Sequence, residues 1–122
     1  MKKTSKNSKK SEAPVFSCGL DATLRLISGK WKPLILFFLR DSCKRYGELK
    51  RCIKGVSHKV LIQQLKDLES DGIVLRTDYQ EVPPRVDYRL TPLGDSLAVA
   101  MVGLCEWGNE NRDAIAEAVS RR

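Results

Sequence analysis

Residues 55–72 read GVSHKVLIQQLKDLESDG, and the organisation of the chain turns on this stretch. Ser57 is a favoured helix N-cap, because its hydroxyl accepts a hydrogen bond from a backbone N–H that the first turn leaves unpaired. Leu61, Leu65 and Leu68 recur at helical spacing and form one apolar stripe in a helix that runs to Asp71. Gly72 supplies the left-handed residue that ends it. At about 100° per residue, Lys59, Gln63, Lys66 and Ser70 cluster opposite the stripe. The N-terminal half therefore presents Ser57, His58, Lys59 and Gln63 outward, with Gln64 toward the flank.

Working outward, Lys54-Gly55-Val56 is a compact turn after a short helix over Arg45–Ile53, whose Tyr46, Leu49 and Ile53 face inward. Lys50, Arg51 and Lys54 point elsewhere. Further upstream, Leu20, Leu24, Ile27 and Trp31 share a helical face that breaks around Gly29, and Pro33 fits the first turn of a helix over Lys32–Arg40. Leu34, Ile35, Phe37, Phe38 and Leu39 leave that helix almost no polar side, so it is expected at the centre of the core. Downstream, Val74–Tyr79 and Arg85–Leu90 read as strands. In the second, Val86, Tyr88 and Leu90 alternate with Arg85, Asp87 and Arg89, the period of a half-buried strand. Gln80–Pro84 joins the two and is too long for a tight two-residue turn, so the hairpin has a protruding tip. Thr91-Pro92 is an N-cap followed by proline at the first helical position. A long helix follows, with Leu93, Leu97, Met101 and Leu104 along one stripe.

Two helices across a short glycine-containing turn, followed directly by a two-stranded hairpin, make a winged helix-turn-helix. The expected fold is α+β, mainly α, with an N-terminal helix and a long C-terminal helix added for dimerisation. Residues 17–119 form the domain, residues 1–16 a flexible basic tail and residues 120–122 a C-terminal tail. The Leu93–Leu104 stripe exceeds what one small domain needs, and Leu20, Leu24 and Ile27 offer a helix to pack on it. A twofold homodimer is expected.

Charge points to the partner. The net charge of +7 is segregated: residues 1–10 carry +5, residues 44–66 carry +6, and residues 67–122 carry −5. Lys/Ser/Asn-rich sequence cannot bury enough apolar surface to fold, which is why the first block reads as a tail. The second block lies inside folded sequence, where a solvated face is the ordinary explanation, but sign segregation favours a polyanion. Lys44, Arg45, Lys50, Arg51 and Lys54 suit backbone phosphates, which position a protein without specifying sequence. Lysine can reach guanine acceptors and glutamine can pair with adenine, so Lys59, Gln63 and Gln64 suit a major groove, with Ser57 and His58 beside them. Taken alone, Gln63 and Gln64 are ordinary surface residues; within this element order they read as base-facing. Arg85, beside the hairpin tip, either enters a minor groove, touches the backbone, or is a plain strand-end arginine.

Four cysteines, Cys18, Cys43, Cys52 and Cys105, contain no CxxC pair, and His58 is the single histidine. No metal site and no cofactor are expected. No apolar run approaches the roughly 20 residues of a membrane span, and no apolar signal core follows the basic start. A cytoplasmic protein with reduced thiols is expected. No histidine or acid is placed to activate a nucleophile, so the chain is not expected to be an enzyme.

The set Gly29-Lys30-Trp31-Lys32, Arg45-Tyr46-Gly47-Glu48-Leu49, Gly55–Leu61, Gln63-Gln64-Leu65, Val82–Tyr88 and Leu90-Thr91-Pro92-Leu93-Gly94, preceded by Cys18 before a helix, resembles the HxlR-type family of bacterial regulators. The resemblance covers roughly Cys18 to Asn109. It implies a dimer built from N-terminal and C-terminal helices, Ser57–Gln64 in the major groove of double-stranded DNA, and Val82–Arg85 as a wing. It also implies a transcriptional regulator, most often a repressor. In several members a cysteine at the position of Cys18 senses electrophiles or oxidants. A cysteine beside a helix N-terminus has its thiolate favoured, and Lys30 and Lys32 stand to add to that effect. Cys18-Gly19 stands here where the family often has Cys-Pro, and Cys18 also reads as a partly buried structural residue. Cys52 and Cys105 read as core or interface residues. The alternatives are a regulator that does not sense through a thiol and a protein-interaction module; the density of cations around residues 44–66 argues against the latter.

Overall fold

The computed structural model describes residues 13–122 of the chain. Residues 1–12, most of the expected basic tail, lie outside the described residues. The elements are α1 (Gly19–Leu26), α2 (Trp31–Leu39), β1 (Lys44–Arg45), α3 (Tyr46–Cys52), α4 (His58–Ser70), β2 (Val74–Asp78), β3 (Val86–Leu90), α5 (Pro92–Ala100), α6 (Val102–Glu110) and α7 (Arg112–Ser120). Among them is the winged helix-turn-helix order of α3, turn, α4 and hairpin. α2 supplies Ile35, Leu36 and Leu39 to a core completed by Leu49, Ile53, Val56, Leu61, Leu65, Leu68, Ile73, Val74, Tyr88 and Leu90. The expected stripe of α4 is thus the buried one.

Local chemistry fixes where α4 begins and ends. Ser57 is extended, and its Oγ accepts from the Val60 N–H at 3.1 Å. At the other end Gly72 has φ +77°; its N–H donates to the Glu69 carbonyl, and that of Ile73 donates to the Leu68 carbonyl. This is a Schellman closure, sealed by the buried Leu68 and Ile73 side chains. Thr91 then locks the next helix to this one. Its Oγ1 donates to the Gly72 carbonyl at 2.6 Å and accepts from the Gly94 N–H at 3.1 Å.

Four findings differ from the sequence reading. First, the third helix begins at Tyr46, because Lys44 and Arg45 are extended and pair with Tyr88 and Asp87 as an edge strand, giving an antiparallel sheet in the order β1-β3-β2. The Arg45 N–H donates to Glu48 Oε1 at 2.9 Å, a cap that fixes the boundary. Second, Asp87 is buried rather than outward, 6% exposed, because Arg85 covers it with a contact of 3.1 Å. Third, the long C-terminal helix is three segments. At Met101 the N–H is shared between the carbonyls of Leu97 and Ala98, which tightens the turn. At Asn111 the side-chain amide donates to the Trp107 carbonyl at 2.9 Å, and the backbone opens to φ −119°.

Fourth, the Leu93–Leu104 stripe, expected to meet a second copy, is split between the core and the surface. Gly94 and Ala98 are the buried positions of α5, Leu97 and Met101 flank them, and Leu93 and Leu104 are exposed. Gly94 is required there: a Cβ on it would run into the backbone carbonyl of Ile73. Two small residues let α5 approach the start of β2, so the leucines are displaced to the sides.

Candidate nucleic-acid interface

The exposed side of α4 carries Lys59, Gln63, Lys66 and Ser70, opposite the buried leucines. Gln64 is half-buried on the flank. Ser57, Gln63 and His58 already have partners. The Ser57 hydroxyl oxygen is used as a cap, which leaves its O–H free to donate. The Gln63 Nε2 donates to Asp67 Oδ1 at 3.0 Å, and Lys32 Nζ approaches the other oxygen of that carboxylate at 3.6 Å. Gln63 is thereby held upright along the helix with its carbonyl oxygen free. Pairing with N6 and N7 on the major-groove edge of an adenine uses that oxygen and an Nε2 hydrogen, so the base competes with Asp67 for the amide.

His58 is fixed by α3. Its Nδ1 lies 2.6 Å from the Tyr46 hydroxyl, and the two rings meet edge to face at 5.3 Å. Burial raises the Tyr46 pKa above the usual phenol value, and the neighbouring Tyr88 adds to the rise. The phenol therefore keeps its proton, and the hydrogen bond between the two side chains fixes His58 whichever of the pair donates. Tyr46, which packs against the core as its inward position predicts, also aligns the first turn of α4.

The cations on the approach to α4 occupy different places. Lys44 is half-buried on β1, and its Nζ reaches Ser42 Oγ at 3.4 Å; Arg45 is exposed. Lys50 and Arg51 stand in the last turn of α3, where cations complement the helix dipole, and Lys54 is exposed in the turn beyond. Arg85 is committed within the chain. Its guanidinium bonds both carboxylate oxygens of Asp87 and lies 4.4 Å above the Tyr79 ring. The Arg85 hydrogen bond holds Asp87 below the usual carboxylate range against the opposing effect of burial; the Tyr79 hydroxyl and Arg45 lower it further. Val82, at the hairpin tip, is fully solvent-facing at 98% exposure.

Cys18 is exposed and is itself the N-cap of α1. Its thiol pKa is lowered, first by the backbone N–H of Asp21, then by that of Leu20, with a smaller contribution from Ser17. Lys30 and Lys32 do not produce this effect: Lys30 lies over the Trp31 ring and Lys32 faces Asp67. Cys43 and Cys105 are also exposed and Cys52 is half-buried. Among the described residues no three His, Cys, Asp or Glu side chains gather as a metal site, and no helix is long and apolar enough to cross a membrane.

Comparison with known proteins adds four results. The model of the HxlR-like helix-turn-helix family matches residues 26–116. An HTH-type transcriptional regulator of Bacillus subtilis, YkvN, is 50% identical over 93 residues, covering 76% of this chain and 79% of its own. Among solved structures, the redox regulator HypR in its oxidised form superposes with a TM-score of 0.72 at 39% identity, covering 77% of this chain and 97% of its own. The diamide-treated YodB of B. subtilis gives 0.63 at 32% identity, covering 76% and 93%.

Proposed function

Because the chain belongs to the HxlR-like helix-turn-helix family and is a transcriptional regulator of helix-turn-helix type, we propose that it is a cytoplasmic repressor that binds a pseudo-palindromic operator as a homodimer and is released through Cys18. The observation that carries the DNA reading is α4. Its leucines are buried on one side, and Lys59 and Gln63 are exposed on the other, behind an N-cap set by Ser57. Gln63, Gln64 and Lys59 read base edges, Ser57 and His58 contact the backbone beside them, and Lys44, Arg45, Lys50, Arg51 and Lys54 hold phosphates.

Support for a dimer comes from apolar side chains left uncovered on the added helices: Leu20 and Leu24 on α1, and Leu93, Val99, Val102, Leu104 and Trp107 on α5 and α6. Support for a thiol switch comes from the exposed, acidified Cys18 at the start of α1, and from the likeness to the redox regulator HypR and to the diamide-treated YodB. Cys18 at the N-terminus of a dimerising helix is well placed to act on the spacing of two recognition helices. Release requires only that the modified state bind DNA about 100-fold more weakly, roughly 2.7 kcal/mol of coupling.

The test is footprinting on the DNA upstream of the chain's own gene, with and without diamide. The expected result is two protected half-sites about one helical turn apart, released on oxidation in the wild type and retained in Cys18→Ser. Equal release in both proteins removes Cys18 as the sensor. Absence of any protected site, with binding indifferent to salt, overturns the DNA reading itself.

A further inference from the structure

Between α3, α4 and the hairpin lies an open hollow of about 830 Å³, with Arg45, Arg51, Arg76 and Arg85 on its rim. A second hollow, about 250 Å³, continues it between α4 and β2, lined by Lys66, Glu69 and the shared residues Ile62, Arg76 and Tyr88. The two make one groove, with Arg76 at the joint and an apolar floor of Ile62 and Tyr88. It runs beside the outward face of α4 and ends at Pro84, Arg85 and Val86, beside the hairpin tip.

The four arginines are not equivalent. Arg85 is held by the buried Asp87, which neutralises it locally. Arg76 has only Asp78, at 3.6 Å, with both side chains about 40% exposed, an ion pair that water and a competing anion readily exchange. Among the described residues neither Arg45 nor Arg51 is in an ion pair. Two acids line the groove. Glu48 is turned back as the cap of Arg45, and Glu69 sits in the smaller hollow, away from Arg45 and Arg51. Arg45 pairs with Asp87 and so stands on the sheet face opposite Arg76, where its charge acts on that carboxylate. The larger hollow therefore presents two guanidinium groups, of Arg51 and Arg76, available to an anion, over a floor that does not compete for it. Guanidinium groups pair with phosphate oxygens through forked hydrogen bonds.

We propose that this groove seats a DNA backbone phosphate between the recognition helix and the wing, held by Arg51 and Arg76. The inference rests on the DNA-binding reading above. It adds Arg76, a strand residue outside the basic helical block, as a positioning residue, and makes Arg85 a structural clamp on the wing rather than a groove-reading arginine. A phosphate in this groove fixes the distance between wing and α4 on the DNA, so the interaction sets register for every sequence alike.

The experiment measures binding of the full-length protein to a mixed-sequence duplex of about two helical turns across a salt series, for wild type, Arg76→Gln, Arg51→Gln and Arg76→Lys. Arg89→Gln, on the opposite face of the sheet from Arg76, is the control. Removing one phosphate interaction from each subunit should flatten the log–log slope by about two and cost about tenfold per subunit near 0.1 M salt. Arg76→Gln and Arg51→Gln are expected to do this while melting as the wild type does, Arg76→Lys to recover much of the slope, and Arg89→Gln to leave it alone. A salt-dependent wild type with unchanged slopes in both glutamine variants overturns the groove and leaves the DNA reading standing. A wild type whose binding ignores salt overturns both.

Discussion

Cys18 has an extended backbone (φ −164°, ψ 175°) and no side-chain cap bond, so its sulfur is free to lean over the unpaired N–H groups of Leu20 and Asp21. Those two N–H groups hold its pKa below the ordinary thiol value of 9.0. Alkylation by iodoacetamide, followed by mass spectrometry at this residue, should therefore rise through a midpoint at lower pH in the folded protein than in urea. A coincident midpoint would remove the electrostatic basis for a reactive Cys18. Asp87 has the same sign and a different consequence. Its folded pKa lies below the ordinary 3.8 because Arg85 stabilises the carboxylate, so the pair's contribution is complete above about pH 4 and is lost as pH falls through the lower folded value. Asp87→Asn should lower the melting temperature at pH 7, and the gap to wild type should close only below pH 3.8. A gap that persists undiminished into that acid range would mean packing, not charge, holds the wing. Gln63→Ala should cost about 1–3 kcal/mol for each base pairing removed and relax discrimination at one position of each half-site. Selection of operator variants by the mutant would show this, and an unchanged consensus would return Gln63 to its partnership with Asp67.

At the scale of elements, the approach of α5 to β2 is the packing that the sequence disguises. Gly94→Ala places a methyl group against the Ile73 carbonyl, which also accepts the Thr91 N–H at 3.0 Å. The backbone cannot yield there without opening the junction of α4, β2 and α5. A loss of about 1–3 kcal/mol in urea unfolding is expected, and a neutral result would mean α5 docks loosely. Elements bounded by their own chemistry were legible in the sequence: Ser57 and Gly72 bracket α4, and Thr91-Pro92 opens α5. The outward set on α4 followed from its leucines. What escaped depended on neighbours distant in the chain. β1 is two residues long and exists only because β3 accepts it, so Lys44-Arg45 carries no period of its own. Asp87 looks outward by alternation until Arg85 and Tyr79 close over it. Gly94 and Ala98 carry no hydrophobic signal, yet they mark the buried face of α5, while the conspicuous leucines lie beside it. Arg76 escaped for a related reason: the strand pattern gives its face, and only the packing of α3 and α4 turns that face into a groove.

For the whole molecule, the apolar surface left on the added helices decides the assembly. A stripe of leucines along a C-terminal helix has two uses, filling the chain's own core or meeting another copy, and the fold separates them. Leu97 and Met101 are half-buried against the core, whereas Leu104 is 72% exposed and Leu24 52%. Trp107, Val99 and Val102 are exposed as well. So many large apolar groups exposed on the added helices are the ordinary mark of a surface that a partner covers. This distinction chooses the variant. Leu97→Glu would bury a charge within one chain and unfold it, which says nothing about association. Leu104→Glu and Leu24→Glu instead place a charge where one chain tolerates it and a paired copy does not. Both variants should keep the helical circular dichroism of the wild type, sediment as monomers at low-micromolar concentration, and lose operator affinity. The salt slope follows assembly, since a monomer brings half the phosphate interactions. A wild-type slope of about −5 to −7, for roughly six to eight phosphates neutralised, should fall to roughly half in the monomeric variants. If Leu104→Glu sediments as the wild type does and binds with the same slope, the second copy does not cover this face, and the half-sites of the operator need not be spaced by one turn of DNA.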